Sequence, residues 1–238
     1  MTLHSRKRPP GNDSSLSDPT LGMDGEKAIF QGPTHFFEEE ARRCGYRRVA
    51  GLDEAGRGPL AGPVVGAAVI LPRRFFLPGL DDSKRVNAQD RELLFEAITQ
   101  RALAWSIGVA TETEIDTLNI LEATKLAWKR ALELLKPPPD FLLIDAVTLH
   151  GVGVPQRAVI KGDNLSSSIA AASILAKVHR DRCMQDYHLR YPSYNFHIHK
   201  GYPTPEHLCF LDKFGPCPAH RRSFRPVLAR SGSGGGVS

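Results

Sequence analysis

Long hydrophobic runs are absent from this 238-residue chain. Its longest strongly apolar stretch covers residues 64–71, far short of the roughly 18 residues that a membrane-spanning helix needs. No apolar segment follows the basic residues 6–8, so a secretory signal peptide is not expected. The four cysteines are widely spaced and form no CxxC pair, which argues against a disulfide framework. These absences exclude membrane, secreted and fibrous classes and predict a cytoplasmic protein with reduced thiols.

Composition divides the chain into three parts. Residues 1–45 are mostly a leader rich in Pro, Gly and Ser that carries the basic residues 6–8 near its start, and residues 231–238 are a Gly/Ser tail. Neither part has clear hydrophobic periodicity, so both are expected to be largely disordered. Residues 46–230 are expected to form one domain, and the apolar fraction of the full chain, 41%, is ordinary for a protein that buries a core.

Positive charge is concentrated at the C-terminal end of this domain. Residues 177–230 contain ten Lys and Arg against four Asp and Glu, a net charge of +6, whereas the whole chain carries +5. Such a region is typical of proteins that bind a polyanion, most simply a nucleic acid, although a solvated basic face has the same composition. In the nucleic-acid interpretation, four basic residues are expected to contact phosphates: Lys200, Arg221, Arg222 and Arg225.

Apolar patterns predict an α/β domain. Five short runs are typical of strands, at 47–52, 64–71, 102–110, 141–144 and 157–160. Helical spacing follows Asn87, covers residues 120–135 and begins again at Ser166. Strands that cluster early and then alternate with helices predict a mixed sheet with helices packed on it.

Acidic residues follow two of the predicted strands. Asp53 and Glu54 come directly after the first strand, and Asp145 ends the run at 141–144. Because parallel neighbours place their carboxyl ends side by side, the three carboxylates would repel each other unless a cation lies between them. Oxygen ligands of this kind suit Mg²⁺ or Mn²⁺ rather than zinc.

Two further acids are candidates for a fourth ligand. Asp163 precedes the long C-terminal helix, although a role in loop structure or helix capping explains it equally well. Asp181 lies four turns along that helix between basic residues, so an ion pair explains it equally well.

The residues after the first acids are rich in glycine. Gly56 and Gly58 would break the strand and let backbone amides approach a ligand closely. Arg57 between them carries a guanidinium fork that matches a phosphate. A glycine-rich turn with solvated acids is the alternative interpretation.

The segment 53–63, DEAGRGPLAGP, resembles the signature of ribonuclease HII, the type 2 ribonuclease H family. Further blocks follow in that family's order: DSK at 82–84, LNIL at 118–121, LID at 143–145, KGD at 161–163, AASILAK at 171–177, KGYPT at 200–204 and HRRSF at 220–224. Together these blocks cover essentially the whole expected domain.

The resemblance implies a ribonuclease H-like fold, with a five-stranded mixed sheet flanked by helices and a helical C-terminal segment. It implies an endoribonuclease that hydrolyses the RNA strand of RNA–DNA hybrids and cleaves 5′ to single ribonucleotides embedded in duplex DNA. Hydrolysis would use two Mg²⁺ or Mn²⁺ ions and leave 3′-hydroxyl and 5′-phosphate ends. The family's metal-binding and catalytic acids map onto Asp53, Glu54, Asp145 and Asp163, with Asp163 preferred to Asp181.

Substrate contacts are expected around these acids. The backbone of residues 56–58 is expected within reach of the ribonucleotide 2′-hydroxyl, and by resemblance the ring of Tyr202 packs beneath the next sugar. Four more residues are expected to hold the substrate backbone: Ser83, Lys84, Lys161 and Lys177. The expected partners are RNA–DNA hybrid and ribonucleotide-containing duplex DNA, bound by a monomer, with no membrane and no assigned protein partner.

Two other classes fit parts of the sequence. A non-catalytic nucleic-acid-binding module would share the basic region, but it would not explain acids at strand ends, which repel phosphate. A zinc enzyme or zinc-stabilised domain would use four residues of suitable type whose spacing is uncommon in structural zinc sites: His197, His199, His207 and Cys209.

Overall fold

The computed structural model describes residues 32–230, so most of the expected leader and the whole tail lie outside the described residues. The described chain forms five strands: β1 (Val49–Ala55), β2 (Val64–Ile70), β3 (Ala104–Ala110), β4 (Phe141–Asp145) and β5 (Gln156–Val159). It also forms nine α-helices: α1 (Phe36–Arg43), α2 (Ala88–Arg101), α3 (Glu112–Leu118), α4 (Ile120–Leu134), α5 (Gly162–Leu165), α6 (Ser167–Arg190), α7 (Phe196–His199), α8 (Pro205–Phe214) and α9 (Arg225–Leu228).

The strands form one mixed sheet in the order β3-β2-β1-β4-β5, which confirms the predicted fold class. β1 is antiparallel to β2, and β2 is antiparallel to β3. β4 is parallel to β1, and β5 is parallel to β4. The parallel pairing of β1 with β4 ends with Leu52 opposite Ile144, so the next residue of each strand lies at the same edge of the sheet.

Helices cover both faces of the sheet, which explains why all seven residues of β2 are buried and form a continuous apolar run. On one face, α6 contributes Ala172 and Leu175 to a core that includes Val69 of β2. On the other face, α4 contributes Trp128 to a second core that includes Leu52 of β1.

α6 approaches β1 most closely near its first turn. A Cβ atom at Gly51 would collide with the backbone of Ser168, so the helix and the strand are in direct contact there. Side chains two residues apart on a strand share a face. Asp53 therefore lies on the same face of the sheet as α6.

Residues 36–43 form α1, although composition places them in the leader. Its Ala41 is buried, and its buried Glu38 accepts hydrogen bonds from the hydroxyls of Ser166 (2.7 Å) and Ser168 (2.6 Å). Three consecutive glutamates give this helix a polar composition, so its buried face is not evident from the sequence. Within residues 32–230, no helix is both long and apolar enough to cross a membrane.

Candidate active site

The carboxylates at the ends of β1 and β4 occupy neighbouring positions of the sheet. Asp53 is buried, and its Oδ1 accepts a hydrogen bond from the amide of Glu54 (2.8 Å). Asp145 Oδ1 accepts a hydrogen bond from the amide of Gly162 (2.8 Å) at the start of α5. Asp163, the next residue of α5, is buried as well. One edge of the sheet thus gathers these four acids.

The four carboxylates interact through their charges. Burial raises the pKa of Asp53 well above its ordinary value, and repulsion from Glu54 and Asp145 raises it further. Burial also raises the pKa of Glu54, although the neighbouring Arg57 opposes this change. Burial raises the pKa of Asp145, and the charge of Asp163 adds to the effect. A cation among these groups would relieve their repulsion.

Lys84, on the loop between β2 and α2, places a positive charge near these acids. Its Nζ lies 3.7 Å from Asp163 Oδ2 and 3.8 Å from Asp82 Oδ1. Burial lowers the pKa of Lys84, but attraction to Asp82, Asp163, Asp53 and Asp145 outweighs burial and raises the pKa overall. The Lys84 side chain is largely exposed, so its ammonium has room to move away from the acids.

Ser173 and Arg91, which were not among the predicted site residues, hold this loop in place. Ser83 is buried, and its hydroxyl lies 2.9 Å from the hydroxyl of Ser173 on α6. Arg91 Nη1 donates to the carbonyl of Ser83 (2.8 Å). The Ser83 side chain therefore faces the interior. Ser173 belongs to the AASILAK block, which marks it for attention, whereas no pattern in the sequence points to Arg91.

Asp181 lies in a different environment from Asp163. Its Oδ1 is 2.6 Å from Lys177 Nζ, and its Oδ2 is 3.7 Å from Arg91 Nη2. Asp181 is therefore paired with two cations, and the Lys177 ammonium is engaged by Asp181. Asp163 instead lies among the strand-end acids.

The donor chemistry of the acid cluster suits a hard divalent cation. Within residues 32–230, no three His, Cys, Asp or Glu side chains converge closely enough to hold an ion as they stand. The four candidate ligands are nonetheless all carboxylates: Asp53 and Asp163 are buried, and Glu54 and Asp145 are half-buried. Oxygen ligands and excess negative charge fit Mg²⁺ or Mn²⁺ better than zinc.

The loop after β1 lies beside Tyr202. A Cβ atom at Gly58 would be 3.7 Å from Tyr202 Cε1, and Tyr202 is 43% exposed. The amides of Arg57 and Gly58 donate to no acceptor within the described part of the chain. Lys161, at the other side of the acids, is exposed. These groups are available to a ligand that approaches the acid cluster.

The expected phosphate contact of Arg221 is wrong. Its side chain is fully buried and donates to backbone carbonyls of the loop after β1. Arg222 and Arg225 are exposed, and Lys200 is half-buried. The sequence alone predicted an exposed Arg221, because basic residues in a basic region usually lie at the surface.

The four residues of the zinc hypothesis do not form a site. His197 and Cys209 are exposed, whereas His199 and His207 are buried and stacked with ring centroids 4.3 Å apart. His207 Nε2 lies 3.0 Å from Nε2 of His220, a residue outside the hypothetical set. The zinc hypothesis is therefore wrong, and the buried histidines are packing residues of the C-terminal segment.

Acidification is expected to weaken this buried histidine pair. Burial lowers the pKa of His207 to about 4. Burial, with repulsion from His207, lowers the pKa of His220 to about 3. Below the ordinary value of 6.5, the unfolded chain binds protons that the folded pair does not, so stability falls as pH falls. Each histidine should lower the free energy of unfolding by about 1.4 kcal/mol per pH unit in that range.

Urea unfolding at a series of pH values from 7 to 5 checks this expectation. His220→Gln should flatten the dependence of the unfolding free energy on pH, whereas His150→Gln, at an exposed histidine, should leave the dependence unchanged. Equal slopes in both variants would contradict the assignment.

Comparison with known proteins gives consistent matches. The family model described as Ribonuclease HII matches residues 50–227. The Ribonuclease HII of Syntrophotalea carbinolica is 54% identical over 192 residues, which cover 81% of this chain and 92% of that protein. The ribonuclease H2 structure from Pyrococcus horikoshii OT3 matches with a TM-score of 0.68 at 26% identity, covering 78% of this chain and 97% of that one. The PCNA:RNase HII complex from Archaeoglobus fulgidus matches with a TM-score of 0.63 at 25% identity, covering 74% of this chain and 94% of the matched one. That relative was therefore solved together with a protein partner.

Proposed function

This chain belongs to the ribonuclease HII family, and on that premise we propose that it hydrolyses the RNA strand of RNA–DNA hybrids and cleaves 5′ to single ribonucleotides in duplex DNA. It is an endoribonuclease, so the alternative of a non-catalytic binding module falls away. The observation that carries the proposal is the set of four repelling carboxylates beside a loop with free amides. Such a set repels a phosphate unless cations are bound.

Asp53, Glu54, Asp145 and Asp163 are proposed to hold the divalent ions that this family uses, Mg²⁺ or Mn²⁺. Two bound ions would supply activation of a water and stabilisation of the leaving 3′-oxygen, so that the products carry 3′-hydroxyl and 5′-phosphate ends. Lys84 neutralises part of the charge of the acids and lies where a phosphate would approach them.

The residues around the acids are proposed to select and orient the substrate. The amides of Arg57 and Gly58 donate hydrogen bonds to the ribonucleotide, whose 2′-hydroxyl distinguishes it from a deoxyribonucleotide. The Tyr202 ring, adjacent to Gly58, packs beneath the next sugar. Lys161 and Lys177 contribute positive charge along the path of the backbone.

The test is cleavage of two substrates by the full chain, a DNA duplex with one ribonucleotide and a continuous RNA–DNA hybrid. Both should be cut in Mg²⁺ or Mn²⁺, with 5′-phosphate on the downstream product, and neither should be cut in EDTA. An all-DNA duplex of the same sequence is the control. Intact substrates with both ions would contradict the proposal.

Tyr202→Ala should reduce cleavage of the single-ribonucleotide duplex by roughly tenfold or more, since loss of a packed aromatic side chain costs about 1.5–3 kcal/mol. The loss should be smaller on the continuous hybrid. The measurement is cleavage of both substrates side by side at equal metal and salt, with Tyr202→Phe as the control that keeps the ring. Equal losses on the two substrates, or none, would show that Tyr202 does not read the junction.

We also propose that the enzyme acts as a monomer in the cytoplasm. Its four cysteines are free thiols, which supports a reducing compartment.

A further inference from the structure

Two arginines lie buried beneath the loop at residues 56–63. Arg221 is fully buried, and Arg180 of α6 is 1% exposed. Neither forms a direct ion pair with a carboxylate among the described residues, although the charge of the buried Glu112 attracts both guanidiniums. Buried charges without a direct ion-pair partner are costly, so their hydrogen bonds decide what they do.

The Arg221 guanidinium is surrounded by carbonyl oxygens of the loop. Its three nitrogens donate to five of them: Nε to Gly62 (2.8 Å), Nη1 to Pro59 (2.8 Å) and Arg57 (3.1 Å), and Nη2 to Gly56 (2.6 Å) and Pro63 (3.2 Å). Five donors in a rigid plane match this set of acceptors, which the single ammonium of a lysine cannot do.

Arg180 joins the same loop to the segment that carries Tyr202. Its Nε donates to the carbonyl of Pro63, and its Nη2 donates to those of Ala61 and Lys200, each at 3.1 Å. A Cβ atom at Gly56 would collide with the Arg180 side chain, so this glycine is needed for the guanidinium to lie against the backbone.

The inward carbonyls determine where the amides point. A peptide unit is planar and trans, so its carbonyl and its N–H point in opposite directions. The carbonyls of Gly56 and Arg57 point inward to Arg221. The amides of the following residues, Arg57 and Gly58, therefore point away from Arg221, and neither has an acceptor within residues 32–230.

We propose that Arg221 and Arg180 are positioning residues for ribonucleotide recognition: they orient the peptide planes of the loop so that the amides of Arg57 and Gly58 face the substrate. This inference rests on the proposed function. The two guanidiniums act through the backbone and do not touch the nucleic acid, which separates their role from that of exposed Arg222 and Arg225.

Arg221→Lys tests the inference, because it keeps the charge and removes the planar set of donors. The single-turnover rate constant at saturating enzyme should fall by roughly 100-fold, as expected when a reacting group is misplaced by about 1 Å. The loss should be equal on the single-ribonucleotide duplex and on the hybrid, unlike the selective loss expected for Tyr202→Ala. Calorimetric binding of Mn²⁺ should remain within about threefold of wild type, since the acids are untouched.

The controls separate this role from stability alone. The single-turnover rate constant at saturating enzyme does not depend on the folded fraction. Arg157→Lys is the matched variant, because it removes the guanidinium hydrogen bond to Glu40 on α1 (2.8 Å) and does not contact the loop. That variant should keep the wild-type rate. If Arg221→Lys fails to fold, Arg180→Lys, which removes three hydrogen bonds, takes its place with the same expected pattern.

Two different failures can be told apart. If wild type cuts neither substrate with Mg²⁺ or Mn²⁺, the proposed function itself is wrong. If wild type cuts both and the folded lysine variants cut at the wild-type rate, only the positioning role is overturned.

Discussion

Asp53→Asn is expected to abolish cleavage and leave the fold unchanged or more stable in metal-free buffer. The folded state raises the pKa of Asp53 through burial and through repulsion by Glu54 and Asp145. A group whose folded pKa is raised destabilises the fold when it is ionised near neutral pH. Removing that charge relieves the repulsion and also removes a proposed metal ligand. Activity should fall to the level of the buffer control, and Asp145→Asn should behave in the same way.

Thermal unfolding with and without Mn²⁺, together with cleavage assays, checks this result. Wild type should gain more from added Mn²⁺ in its melting temperature than Asp53→Asn. Asp181→Asn is the matched control, because its carboxylate is paired with Lys177 and Arg91. Asp181→Asn should lower the stability of the fold. Its effect on cleavage should be smaller than that of Asp163→Asn. Near-normal cleavage by Asp53→Asn would refute the assignment of the acids.

Gly56→Ala is expected to be among the most destabilising single changes in the domain. Gly56 has a φ of 102°, where a side chain is strained by about 1–2 kcal/mol. The added methyl would also collide with the buried Arg180 side chain. Overpacking adds roughly 1–3 kcal/mol, so the free energy of unfolding should fall by about 2–5 kcal/mol.

Gly58→Ala is the matched comparison two residues away. A methyl there meets only Tyr202 Cε1 at 3.7 Å, an ordinary contact, so stability should change by less than about 0.5 kcal/mol. Cleavage of both substrates should nevertheless fall, because the methyl projects where the backbone meets the sugar. Urea unfolding and cleavage of each variant separate the two effects. Equal stability of the two variants would contradict the geometry described for Gly56.

The main features of the fold and the acid edge could be predicted from short-range patterns. Apolar runs marked the strands, and acids directly after two of these runs pointed to one edge of the sheet. The packing of α1 could not be predicted, because the buried Glu38 accepts its hydrogen bonds from hydroxyls about 130 residues away in the chain. The same holds for Arg221, whose acceptors lie about 160 residues earlier in the chain. Such long-range partners leave no local signal.

The histidines show a different kind of error, in which the sequence predicted a site that the structure does not form. Ligand types at close spacing suggested zinc, yet backbone geometry turns His199 and His207 inward and leaves His197 and Cys209 at the surface. Spacing along a chain does not determine which side chains share a cavity when a segment is built from short helices and turns.

α6 supports three parts of the site with one continuous helix of 24 residues. Its first turn contacts β1 at Gly51, Ser173 in its middle lies beside Asp53, and Arg180 further along holds the loop. The loop is therefore ordered by folding rather than by substrate, and its conformational entropy is lost before any encounter. A ligand that approaches this loop therefore meets a preorganised surface.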